Sequence, residues 1–187
     1  MSDRMRGFVV LLVVLAALTA CSSAPEAPPA ESRAETEVAP VAKPIGLSIP
    51  AIDVQVDQVM ELGVTPDGKM QTPDDAVTIG WYALGAAPGA VGPATVAAHV
   101  NLDGVQGTFA RLHELKQGDE VSVRRADGTD AVFVVDRVEQ YAKATFPDDL
   151  VWADVDRPEL RLVTCGGDLD RVAGSYRDNV IAFAHLR

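Results

Sequence analysis

A chain of 187 residues has room for one domain of ordinary size with appendages, and 48% apolar residues supply enough material for a core. With 27 acidic against 16 basic residues the formal net charge is −11, which argues against nucleic acid and anionic lipid headgroups as main partners. No repeat runs through the chain. No His-x-x-x-His pair, Cys-x-x-Cys pair or carboxylate cluster points to a metal, and no cofactor is implied.

At the amino terminus Arg4 and Arg6 precede an apolar run from Phe8 to Ala20, the layout of a secretory signal. The run is short for a membrane span, which needs roughly 20 apolar residues. Leu18-Thr19-Ala20-Cys21 resembles a bacterial lipobox, in which Cys21 becomes the lipidated first residue of the mature chain. Residues 1–21 therefore read as a secretory signal with a lipobox-like end, or alternatively as an uncleaved signal anchor. Both place the protein on the extracytoplasmic face of the cell membrane. Residues 22–44 are Ala, Pro, Glu and Ser with almost no large apolar side chain, a disordered tether that cannot bury enough surface to offset its ordering entropy.

From Ile45 short apolar runs alternate with turn signals. Leu47 to Val59 alternates apolar and polar residues as strands broken at Pro50. Thr65 to Met70 carries the Pro-Asp-Gly signature of a tight turn. Pro88 to Asn101 predicts a Gly/Pro loop feeding a buried strand, Thr95 to Val100, that ends at His99. Phe109 to Leu115 fits one or two helical turns before Lys116 to Asp119. Glu120 to Tyr141 predicts two strands around an Asp-Gly turn, and a short helix is expected near Leu150. A strand from Leu160 to Val163 then delivers Cys165 to its end. A Gly- and Asp-rich loop follows, and a last strand runs from Asn179 to Ala184 with Arg177 at its entrance. Many short strands, and no long amphipathic helix, predict an all-β barrel or sandwich over residues 45–187.

If Cys21 carries a lipid, Cys165 is left as a single thiol in an oxidising compartment, where cysteines otherwise pair. A thiol at a strand end beside Gly166 and Gly167 is a candidate acyl-transfer nucleophile, which needs an imidazole and a cationic donor near it. Three histidines are available: His99 ends an apolar strand and could equally be a core residue, while His113 and His185 read as solvated. Among the arginines, Arg161 alternates with Leu160 and Leu162 and should point away from the core. Local reasoning does not separate Arg171 from Arg177.

With these residues in view the domain resembles the sortases, cysteine transpeptidases of Gram-positive cell surfaces. Leu162 to Cys165 (LVTC) is similar to that family's Leu-x-Thr-Cys motif. The family histidine falls on His99 in VAAHVN, and the family arginine on Arg177 in SYRDNVIAFA. IGWY, GTFARLHELKQGD and RPELRLVTCGGDLD are most similar to actinobacterial class F, with class E as neighbour. Ala98 departs from the glycine that often precedes the histidine. The resemblance implies a closed β-barrel of about eight strands with short helices. It also implies catalytic His99, Cys165 and Arg177, with Thr164 helping to bind substrate. The substrates implied are secreted proteins carrying a C-terminal LPXTG-like sorting signal. The acyl group would pass through a Cys165 thioester to an amine of a peptidoglycan precursor. The alternative is a non-catalytic sortase-like lipoprotein acting as a binding module. An L,D-transpeptidase is disfavoured because its Ser-x-Gly-Cys-x-Arg type motif is missing.

Overall fold

The alternating texture folds as strands. The structure, a computed structural model, describes residues 40–187; the signal-like run, Cys21 and the tether up to residue 39 lie outside the described residues. Eleven strands follow in order: β1 (Pro44–Ile49), β2 (Val54–Val56), β3 (Val59–Leu62), β4 (Ile79–Tyr82), β5 (Gly92–Ala97), β6 (Asn101–Leu102), β7 (Val105–Gln106), β8 (Glu120–Arg125), β9 (Asp130–Ala142), β10 (Pro158–Asp170) and β11 (Ser175–Leu186). A five-residue helix, α1 (Asp148–Trp152), sits between β9 and β10, where a short helix was expected. Nine strands form one sheet in the order β2-β1-β8-β9-β11-β10-β5-β4-β3, and β6 and β7 make a separate hairpin. Because β1 also touches β3, the sheet curls into a nearly closed barrel, all-β as expected, with nine main strands against the expected eight or so.

The turn residues act where predicted. Pro50 ends β1 and opens a 3-10 turn, and Asp53 at φ 58° reverses the chain into β2. At the β8–β9 turn Gly128 takes φ 81° and its N–H donates to the Arg125 carbonyl at 3.0 Å. A left-handed conformation of this kind costs glycine little.

Two apolar layers lie on opposite faces of β10. Leu160 and Leu162 point into the barrel with Ile49, Val96, Phe133 and Ala182, all at 1% exposure or less. Val163 points outward, onto Ile181, Phe183 and Val151 of α1, with Phe146 and Trp152 alongside. Arg161 does lie opposite Leu160 and Leu162, but it is buried rather than solvated, because the chain between β9 and β10 covers that outer face. Each fully buried Leu, Ile or Phe contributes about 1.5–3 kcal/mol. A central strand buried on both faces thus anchors the sheet around it. Among the described residues no helix is long and apolar enough to cross a membrane.

Candidate active site

The site follows from one pairing. β5 and β10 run parallel, in a register that begins Pro158↔Gly92 and ends Val163↔Ala97. His99 and Cys165 each stand two residues beyond that last pair, so the parallel register brings both to the same level. Cys165 lies inside β10 rather than at a strand end as expected, because β10 continues to Asp170. The predicted strand through Val100 is shorter in fact: β5 stops at Ala97 and His99 lies beyond its end. The nucleophile strand then holds the residue before His99 twice. The Ala98 N–H donates to the Val163 carbonyl at 3.3 Å, and the Thr164 hydroxyl donates to the Ala98 carbonyl at 2.8 Å. Thr164 is therefore a buried link between the cysteine strand and the histidine segment.

The His99 ring is fixed from its other side. Its Nε2 lies 2.7 Å from the Pro73 carbonyl oxygen, on the segment between β3 and β4. A carbonyl can only accept, so Nε2 carries the hydrogen and Nδ1 is left for acid–base work. Behind it, the Phe109 N–H donates to the His99 carbonyl at 3.1 Å, and the Gly107 N–H to the Val100 carbonyl at 3.0 Å. A methyl group on Gly107 would come within 2.0 Å of the His99 carbonyl oxygen. Gly107→Ala is therefore expected to destabilise the fold by about 1–3 kcal/mol, the usual cost of overpacking that shifts backbone. Urea denaturation measures this, and an unchanged midpoint would contradict the close approach.

Cys165 is half-buried and is the one free cysteine among the described residues. Across the hairpin it faces Asn179 in the antiparallel β10–β11 register. Cys165, His99 and Asn179 line a groove of about 750 Å³. Its walls are mostly apolar, with Val64, Met70, Tyr82, Phe146, Trp152 and Val163 among them, and Tyr82 and Trp152 meet edge-on at 5.4 Å. Lys69 and Lys143 border the same groove. A groove of this kind brings a thiol and an imidazole into one largely apolar wall.

A family model described as the sortase domain matches residues 47–187. The chain belongs to the sortase family. Solved structures agree on the fold. Sortase A from Corynebacterium diphtheriae is 20% identical at a TM-score of 0.59, covering 79% of this chain and 61% of that one. A sortase D5 transpeptidase from Clostridium perfringens is 20% identical at a TM-score of 0.55, covering 79% of both chains. Sortase C from Streptococcus pneumoniae is 19% identical at a TM-score of 0.57, covering 78% of this chain and 66% of that one. This sortase spans less than two thirds of the Corynebacterium chain's length. Comparison with curated protein sequences returned no match.

The remaining candidates lie apart from the groove wall. Arg177 is not at a strand entrance, because β10 and β11 continue their pairing past Gly166↔Asp178, through a bulge, to Leu169↔Tyr176 and Asp170↔Ser175. Its guanidinium is 67% exposed and ion-paired to Asp170 Oδ2 at 3.3 Å. The Ala173 and Val172 amides, and then Arg177, hold the Asp170 carboxyl below the usual carboxylate range. Arg171 sits exposed in the hairpin turn. His185 pairs with Asp136 at 2.7 Å on the other end of β11. His113 is exposed, as expected, yet it lines a second cavity of about 250 Å³ that also reaches Cys165. Sequence reasoning overlooked the Pro73 carbonyl and Asn179. A backbone contact leaves no side-chain signal, and Asn179 had read simply as the start of a strand.

Proposed function

We propose that this sortase is an extracytoplasmic cysteine transpeptidase acting on secreted proteins that carry a C-terminal LPXTG-like sorting signal. The observation that carries this reading is the parallel β5–β10 register, which sets Cys165 and His99 level with each other in the wall of one apolar groove. In this reading Cys165 passes its thiol proton to His99, and Sγ attacks the carbonyl carbon of the signal's threonine. The C–S bond forms, the carbonyl electrons move to oxygen, and collapse expels the glycine amine with a proton from His99. The resulting thioester is resolved by an amine of a peptidoglycan precursor, His99 now accepting the proton. Thr164 borders the bound peptide while its own hydroxyl steadies Ala98. Arg177 turns from its exposed, weakly held partner Asp170 to the substrate or to the oxyanion. Class F is the assignment within the family that the segments IGWY and GTFARLHELKQGD support. Anchoring through a lipid on Cys21 is the assignment for the amino terminus, with an uncleaved signal anchor as its alternative.

The test incubates the full chain with LPXTG- and LAXTG-type peptides and a small primary amine, following products by mass spectrometry. A new amide at the threonine, with a transient mass increase on Cys165, is the expected result. A thiol that alkylates freely but never acquires an acyl group from any signal peptide would defeat the reading.

A further inference from the structure

The sequence motif places one cationic donor, Arg177, at the reaction, but the neighbouring side chain that faces the nucleophile is a different one. In the antiparallel β10–β11 register Asn179 stands directly opposite Cys165. Directly paired residues of such strands carry their side chains on the same face, with Cβ atoms about 4.5–5.5 Å apart. Both residues line the same groove, together with His99. Of the three consecutive polar residues in this part of β11, Arg177 is ion-paired to Asp170, and Asp178 accepts a hydrogen bond from Gln140 Nε2 at 2.6 Å. Asn179 is half-buried, and its amide makes no hydrogen bond with another described residue. Two N–H donors are thus held on the thiol's side of the most extensively paired hairpin of the barrel, with no hydrogen-bond acceptor taken up among the described residues.

We propose that Asn179 is a further catalytic residue, whose side-chain amide donates a hydrogen bond to the reacting carbonyl oxygen as Cys165 attacks. The inference rests on the transpeptidase reading above. As the C–S bond forms and the carbonyl electrons settle on oxygen, the negative charge grows where Nδ2–H points, so the bond strengthens on the way to the tetrahedral state. A neutral amide does this without exchanging a proton, leaving proton transfer to His99. Removal of one such preorganised donor costs about 10²–10³ in kcat. The strand pairing preorganises the donor, because Asn179 and Cys165 move as one rung of the ladder.

The experiment compares wild type, Asn179→Ala and the near-isosteric, uncharged Asn179→Leu in the full chain. It measures kcat and KM for acyl transfer from a signal peptide, and separately the rate of Cys165 alkylation by iodoacetamide. Alkylation displaces iodide from carbon and develops no oxyanion, so a residue that only shapes or holds the thiol would slow both reactions. The expected result is a fall in kcat of about 10²-fold in Asn179→Ala, with KM within about threefold. Asn179→Leu, which keeps roughly the bulk but removes both donors without adding a charge, falls as far, and the alkylation rate stays unchanged in both. Equal kcat in the variants, a change confined to KM, or a parallel loss of alkylation overturns the role. Should Asn179→Ala fail to fold, Asn179→Leu alone decides by the same criteria. A wild type that forms no thioester is a different failure, seen before any variant is made; it removes the transpeptidase reading and this role with it.

Discussion

Cys165→Ala is expected to abolish acyl transfer, a loss of at least about 10⁴-fold, while leaving the barrel intact. The size of the loss follows from the absence of a substitute. Thr164, the adjacent hydroxyl, is buried and gives its hydrogen to the Ala98 carbonyl. In the proposed reading His99 would be left with a methyl group in place of the thiol. The thiol is only half-buried, so removing its sulfur should shift stability by less than about 1 kcal/mol. Mass spectrometry after mixing with signal peptide reads the first part, as a missing thioester adduct. Thermal unfolding reads the second. Turnover of even a few per cent of wild type in this variant would place the nucleophile elsewhere.

The second large effect concerns stability and lies on the outer face of β10. Glu159 and Arg161 are 9% and 7% exposed as side chains and form an ion pair, with Arg157 Nε also donating to Glu159 at 2.6 Å. Arg161 is further held by the Leu150 carbonyl at 3.1 Å and lies over the Phe183 ring at 4.8 Å. Removing Arg161 leaves the buried Glu159 carboxylate only the exposed Arg157 as partner, and loss of a buried partner costs up to about 3–5 kcal/mol. Arg161→Ala is therefore expected to lower unfolding stability by up to that much at pH 7. Burial alone would raise the Glu159 pKa, but the hydrogen bonds from Arg161 and Arg157 outweigh it and hold the carboxyl below its ordinary 4.5. A depressed carboxylate stabilises the fold above its unfolded pKa, and that contribution is lost as pH falls through the folded value. Wild type should accordingly lose stability on acidification below about pH 4.5, whereas Arg161→Ala, in which protonation relieves a stranded charge, should lose less. Urea denaturation of both proteins at pH 7 and pH 3.5 tests this. A gap between them that does not narrow at the lower pH would mean that Arg161 acts by packing on Phe183 alone.

Much of the barrel was legible because its signals are local. The Pro50 break, the Asp127-Gly128 turn and the alternation of Leu160 and Leu162 with Arg161 each depend on a few neighbouring residues, and each appears where expected. What local pattern could not show is pairing. Gly166 and Gly167 read as loop residues, yet the hairpin runs through them: a methyl on Gly166 would meet Val180 Cγ2 at 2.6 Å. Arg161 was correctly aimed opposite Leu160 and Leu162, but its burial depends on a crossover segment whose path no local rule gives. The site shows the same division. Cys165 and His99 were legible as residue types, and the groove contains both. The Pro73 carbonyl and Asn179 belong to the site only through tertiary registers.

The parallel ladder between β5 and β10 also sets an order of events. Its rungs join residues far apart along the chain, Val96 to Leu162 for example, whereas β10 and β11 are neighbours closed by a short turn. Local hairpins form early, and long loops must pay their closure entropy before distant strands reward it. The β10–β11 hairpin is therefore expected to set Cys165 beside Asn179 before the long-range β5 pairing brings His99 to the same level. In the reading proposed above, a copy in which β5 had not yet paired with β10 would hold the thiol without its histidine.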